Sequence, residues 1–133
     1  MIIPDIANPY FGSIAKTIEM EARNNGYSII LCDSLDDEIT ESELLQLLAG
    51  RKVDGIIIAP TGKSSRHVVD IQQLGIPVMV IDRYLPGTKL PFVTTENYLG
   101  ALLATEHFIE MGHRNIACIQ GINGISANSE RVN

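Results

Sequence analysis

The chain has no tryptophan, two cysteines and few aromatics of any kind, 5% of its residues. Cys32 and Cys118 each sit in an apolar run that reads as a buried strand, so no disulfide framework is expected and both read as free thiols in a reducing compartment. Positive charge is also scarce: ten Lys and Arg stand against sixteen Asp and Glu, a formal charge of -6. A field of that sign repels phosphate backbones and argues against this chain gripping nucleic acid by itself. Apolar stretches are broken by charge or glycine within about ten residues, too short for a membrane helix, and no basic segment opens a signal peptide. Closure is lacking at both ends. Met1-Ile2-Ile3-Pro4 reads as the tail of a strand and Arg131-Val132-Asn133 stops before any closing element, so the chain is expected to be a piece of a longer protein.

What is present is ordinary globular composition, 45% hydrophobic and 20% charged over 133 residues. Short β-branched runs alternate with amphipathic segments, the pattern of βαβ units wound into an open parallel sheet with helices on both faces. Strands are expected at Met1 to Pro4, Tyr27 to Cys32, Gly55 to Ala59, Val78 to Ile81, Phe92 to Thr94 and Asn115 to Ile119. Helical stripes join Ile14, Ile18 and Ala22; Leu44, Leu45 and Leu48; Val68, Ile71 and Leu74; and Leu99, Leu102, Leu103 and Ile109, each expected to pack on the sheet. Asn8-Pro9 marks a helix start, Thr40 and Glu43 have capping-box spacing, and Asn97 is a candidate cap for the fourth helix. Gly26, Gly75 and Gly112 fall where left-handed helix stops are wanted.

Several chemistries are set aside on spacing. Gly62-Lys63-Ser64 resembles the end of a P-loop, but the glycine needed five positions earlier is Ile57, so the residues read as a turn with Ser64 or Ser65 capping the next helix. The loop Asp5-Ile6-Ala7-Asn8-Pro9 carries no dinucleotide fingerprint. A phosphorylation receiver would cluster acids where Ala59-Pro60 stands. His67, His107 and His113 share no metal spacing, and no serine or cysteine has the setting of a nucleophile, so no metal, cofactor or enzymatic activity is expected.

Two clusters remain at strand ends, where open α/β sheets bind ligands. Asn8-Pro9-Tyr10-Phe11 offers an amide and two rings suited to the C–H face of a sugar or the plane of a base, although either ring can instead pack under its helix. Asp82-Arg83 offers a carboxylate beside a planar fork of donors, a pairing that holds vicinal hydroxyls or forms an internal ion pair. Asp33-Ser34 and Asp36-Asp37-Glu38 read as turn and helix-dipole groups.

With these residues in order, the sequence resembles the effector-binding domain of LacI/GalR-family bacterial repressors. The resemblance is carried by Ile3-Pro4-Asp5-Ile6-Ala7-Asn8-Pro9-Tyr10-Phe11, Asn25-Gly26-Tyr27-Ser28-Ile29-Ile30-Leu31, Arg51 through Pro60, and Gly75-Ile76-Pro77-Val78 running to Ile81-Asp82-Arg83. Asn97-Tyr98-Leu99-Gly100-Ala101 and Gly112-His113-Arg114-Asn115-Ile116-Ala117 continue it, and Gly112-His113-Arg114 favours the repressor branch over the transport branch. Glu96-Asn97 departs from the family's usual Asp-Asn, which changes how that turn can be capped. The resemblance implies a flavodoxin-like lobe of a periplasmic-binding-protein-like fold, with residues 1–113 as the N-terminal lobe and 114–133 as the crossover and first strand of a second. It further implies a cytoplasmic homodimer with a sugar effector between the lobes and operator DNA held only by a helix-turn-helix headpiece. Asn8, Tyr10, Phe11, Asp82, Arg83 and Arg131 would then be effector-binding residues. A sugar-transport receptor is the alternative, and an enzyme of the flavodoxin-like class a third reading.

Overall fold

The computed structural model describes residues 1–121 and 124–132. Ile122, Asn123 and Asn133, all in the segment expected to start a second lobe, lie outside the described residues. Five short strands, β1 (Ile2–Ile3), β2 (Cys32–Asp33), β3 (Ile56–Ile58), β4 (Val78–Ile81) and β5 (Phe92–Val93), form one parallel sheet in the order β2-β1-β3-β4-β5. The helices are α1 (Pro9–Asn24), α2 (Glu38–Gly50), α3 (Arg66–Gln73), α4 (Asn97–Glu110) and α5 (Ser126–Val132). The α/β class and the parallel sheet are as expected.

Alternation along the strands divides the core in two. Ile2, Ile56, Ile58, Val78 and Val80 point to the side covered by Leu45 and Leu48 of α2 and Val68 and Ile71 of α3. Ile3, Ala59 and Ile81 belong to a second cluster with Phe11 and Ala15 of α1, flanked by Ile14 and Ile18. The helix boundaries follow local chemistry. Asn8 caps α1 by accepting the Tyr10 N–H at 3.0 Å, with Pro9 at the first helical position. Gly26, Gly75 and Gly112 take positive φ values of 81°, 87° and 89° just past their helices, as the stop signals predicted.

Some expectations are corrected. The cap of α2 is Asp37, which accepts the N–H and hydroxyl of Thr40 at 2.8 Å each, so Thr40 is a partner of the cap and not the cap itself. Asn97 is the first helical residue of α4 and not its cap; Glu96 holds that place without a side-chain hydrogen bond. β2 is confined to Cys32–Asp33 because its ladder extends only as far as β1, its partner. Residues 113–121 form no strand: Ile119 is 99% exposed and Cys118 is exposed. A parallel strand needs a neighbour for its backbone groups, and no described residue supplies one there.

Nor does α4 pack on the sheet. Tyr98, Leu99, Leu102, Leu103, Phe108 and Ile109 are exposed, none belongs to either core cluster, and the helix lies chiefly against α5. The stripe read as core-facing therefore faces outward from the sheet's own core.

Candidate functional site

The carboxyl ends of four strands converge on one polar cluster. β4 ends at Ile81, and Asp82 takes a left-handed backbone, φ 64°, a conformation that aspartate tolerates better than most residues. Consecutive side chains on a strand point to opposite faces. The left-handed step brings Asp82 and Arg83 to the same side, with Arg83 Nε 3.6 Å from Asp82 Oδ2. The step is braced by β5, because the Asp82 N–H donates to the Val93 carbonyl at 2.9 Å and the Thr94 hydroxyl donates to the Asp82 carbonyl at 3.0 Å.

From α1, which follows β1, the Tyr10 hydroxyl donates to Asp82 Oδ1 at 2.7 Å. Its pKa is pushed up to about 12, first by burial and then by this hydrogen bond and the charge of Asp82. Arg83 Nη1 donates to Asp36 Oδ1 at 2.7 Å, beyond β2, and to the Pro60 carbonyl at 3.0 Å, beyond β3. The guanidinium thus spans the carboxyl edge of the sheet, where ligands of open α/β folds dock.

A second group of residues faces this cluster from the other end of the chain. Arg131 of α5 donates through Nε to Asn97 Oδ1 at 2.9 Å, and its charge opposes the upward push on Tyr10. Asn97, buried at the start of α4, donates to Glu130 Oε2 at 3.2 Å. The Tyr84 N–H, next to Arg83, donates to Ser126 Oγ at 3.0 Å. Gly62 has φ 81°, and a side chain there would come 3.4 Å from the Gly124 carbonyl, so the loops after β3 and β4 both meet the 124–126 segment. A concavity of about 780 Å³ lies between α4, residues 116–121 and α5, beside this cluster and touching it through Asn97 and Arg131.

Of the residues singled out from sequence, Tyr10, Asp82 and Arg83 are brought together, and Arg131 faces them. Asn8 spends its side-chain oxygen on the helix cap. Phe11 is 5% exposed among Met1, Ile3, Ala15, Ala59 and Ile81, with its ring edge-on to Tyr10 at 5.1 Å. Asp36, a turn acid by its sequence pattern, is the partner of Arg83. Its left-handed φ of 52°, like the 56° of Leu35, belongs to a turn whose shape the acidic run Asp36-Asp37-Glu38 does not reveal. Asp33 behaves as read, accepting the N–H groups of Leu35 and Ile6. No group of His, Cys, Asp and Glu among the described residues could hold a metal ion.

The fold is similar to that of known proteins. The family model described as periplasmic binding proteins and sugar binding domain of LacI family matches residues 1–133, and the chain belongs to that family. It is 37% identical to the ribose operon repressor of Halalkalibacterium halodurans over 98% of this chain and 38% of that protein. It is 38% identical to the sucrose operon repressor of Pediococcus pentosaceus over 91% of this chain and 36% of that one. Among solved structures, a putative ribose operon repressor from Burkholderia thailandensis superposes with a TM-score of 0.93 at 33% identity, covering 98% of this chain and 50% of that one. The Cra transcriptional dual regulator of Pseudomonas putida, solved in complex with fructose 1-phosphate, gives 0.91 at 28% identity, covering 98% and 49%. The chain thus spans less than two fifths of these curated relatives and about half of these solved ones.

Proposed function

We propose that this chain is the effector-sensing part of a LacI-type transcriptional repressor and that its effector is a sugar. The observation that carries the reading is the meeting of Tyr10, Asp82 and Arg83 at the carboxyl edge of the sheet, in a chain of this family. A phenol, a carboxylate and a guanidinium together present acceptors, directional donors and an aromatic face, which is the chemistry vicinal hydroxyls require. Asp82 and Arg83 hold effector hydroxyls, Tyr10 covers a ring face, and Arg131 reaches the ligand from the opposite side. Asn8 and Phe11 act through Tyr10, one by starting its helix and the other by bracing its ring.

The lobe boundary, expected at 113, is drawn at the turn between β5 and α4. Support comes from the helix itself, which takes no part in either core cluster and lies against α5. Closure of the lobes around effector would shift the population of arrangements in a cytoplasmic homodimer and so change how headpieces of the full-length protein meet operator DNA. A receptor that delivers sugar to a permease shares the fold, but the curated relatives are named as repressors. No helix among the described residues is long and apolar enough to cross a membrane.

The test is an NMR titration of this chain with free pentoses and hexoses. Millimolar sugar is expected to shift the signals of Tyr10, Asp82, Arg83 and Arg131, and D82N is expected to remove the response. Shifts confined to other residues, or none at saturating sugar, would overturn the assignment of the site. Micromolar binding to this chain would overturn the reading that effector sits between two lobes and needs the whole of both.

A further inference from the structure

A buried carboxylate, Glu41, lies near the cluster without touching it. Glu41 lies in the first turn of α2, where a glutamate ordinarily faces water, yet it is 0% exposed. Its Oε2 accepts the Thr61 N–H at 2.8 Å, and its Oε1 meets His67 Nε2 of α3 at 2.6 Å and accepts the Thr61 hydroxyl at 3.4 Å. Thr61 is itself buried and directly follows Pro60, whose carbonyl holds Arg83. Asp36, the other acceptor of Arg83, immediately precedes the cap of α2. Glu41 therefore ties together the two segments that supply both acceptors of the guanidinium.

A carboxylate taken wholly out of water is retained only when its oxygens are paired, and here every partner belongs to α3 or to the turn leading into it. We propose that Glu41, held by His67, is a positioning residue for Arg83: it locks the turn after β3 against α2 so that the Pro60 carbonyl and the Asp36 carboxylate face the guanidinium together, and the proton on His67 sets how firmly. The effect on effector binding rests on the function proposed above, whereas the geometry at Arg83 does not.

The groups that act on the imidazole are Glu41 and Glu38 of α2 and Asp70 of α3 itself. Glu43 and Arg66 line the same groove between the two helices, and Lys63 lies in the turn before α3. The His67 pKa is raised above its ordinary 6.5, first by the hydrogen bond to Glu41 and against the effect of burial. The charged pair is thus favoured in mildly acid solution and dissolves as pH rises.

The experiment follows the unligated chain by ¹⁵N NMR between about pH 5.5 and about 8.5, across the histidine range. It reads the His67 ring nitrogens, the Thr61 amide and the rotation rate of the Arg83 guanidinium. All three are expected to change with one midpoint above 6.5, the ordinary histidine value. In H67Q the midpoint disappears from Thr61 and Arg83, and guanidinium rotation in mild acid is about fivefold faster, the factor that exchanging a charge-assisted hydrogen bond for a neutral one allows. E41Q is expected to loosen Arg83 at every pH. If E41Q does not fold, the wild-type titration and H67Q still decide. Rotation of Arg83 that stays constant while His67 and Thr61 titrate would overturn the proposal and leave Glu41 as a core bracket only. Because no sugar is present, this outcome is independent of whether the site binds one.

Discussion

Asp82 is the residue on which the cluster turns, because its backbone conformation and its carboxylate act together. Asparagine tolerates the same left-handed backbone and can still accept the Tyr10 hydroxyl, so D82N removes the charge while keeping the turn. Burial is the first cause of the raised Tyr10 pKa and Asp82 the second, so D82N is expected to lower the ring's NMR titration midpoint part of the way from about 12 toward 10. A midpoint that does not move would assign the whole shift to burial. The folded tyrosine holds its proton more tightly than the unfolded one, so its contribution to stability is complete below pH 10 and lost as pH rises through about 12. With the residue 44% exposed, solvent screening keeps that contribution small. For His67, likewise raised, the contribution is complete below 6.5 and lost as pH rises through the folded value. Melting curves of wild type and H67Q are therefore expected to differ most in mild acid and to converge at alkaline pH; a gap that widens with pH would contradict the charged pair. At this scale the sequence is read unevenly. Asn8 is legible because Asn-Pro before an amphipathic run has one mechanical use, and N8A is expected to cost about 0.5–2 kcal/mol in denaturant melts. Which of Tyr10 and Phe11 faces the core depends on the rotation of α1 over β1 and β3, which adjacent letters do not encode. Glu41 is hidden for the opposite reason: an acid in a leucine-rich helix looks like its solvated face, and only the approach of Thr61 and His67 buries it.

Elements whose partners lie within the chain are the legible ones. β4 falls on Val78–Ile81 as expected, because an uninterrupted apolar run between Pro77 and Asp82 suits a parallel strand, and three of its four residues are buried while Met79 is exposed. The stripes of α2 and α3 are equally well read at Leu45, Leu48, Val68 and Ile71, although Leu74 turns out to be 70% exposed. The stripe of α4 has the same periodicity and a different fate. Periodicity shows that one face of a helix is apolar, but it does not name the surface that covers it. A pair of substitutions separates the two cases. Ile58 is 0% exposed in the middle of β3, so I58A is expected to cost about 2–5 kcal/mol by loss of burial and the cavity left behind. Leu103 on α4 is 56% exposed, and L103A is expected to stay within about 0.5 kcal/mol of wild type. Comparable losses from both in urea unfolding would mean that the α4 stripe is covered after all.

At the scale of the whole molecule the described residues form one sheet with two cores and a helical pair, α4 and α5, whose side chains belong to neither core cluster. Among the described residues, the hydrogen bonds across that junction include those from Tyr84 N–H to Ser126 Oγ and from the Asn97 amide to Thr94 Oγ1 and the Thr95 carbonyl, and Gly62 comes close to Gly124. Hydrophobic burial couples β1 through β4 to α1, α2 and α3, whereas α4 adds no side chain to either core cluster. Cooperative units in proteins follow such shared burial, so the two regions are expected to open separately. In native-state hydrogen exchange the amides of Ile56, Ile58 and Val80 are expected to exchange only through global unfolding, with a steep dependence on denaturant. Those of Leu102 through Glu106 in α4 are expected to exchange faster and with little such dependence, because opening the helix exposes little new apolar surface. Residues 114–120, exposed and outside any ladder, are expected to be unprotected. Merging of the α4 and β3 amides into one exchange class would show a single cooperative unit and would return the lobe boundary to the far end of α4, near residue 113. Separate classes would place it at the β5–α4 turn, so that the two lobes of the proposed sensor differ in stability even within this chain.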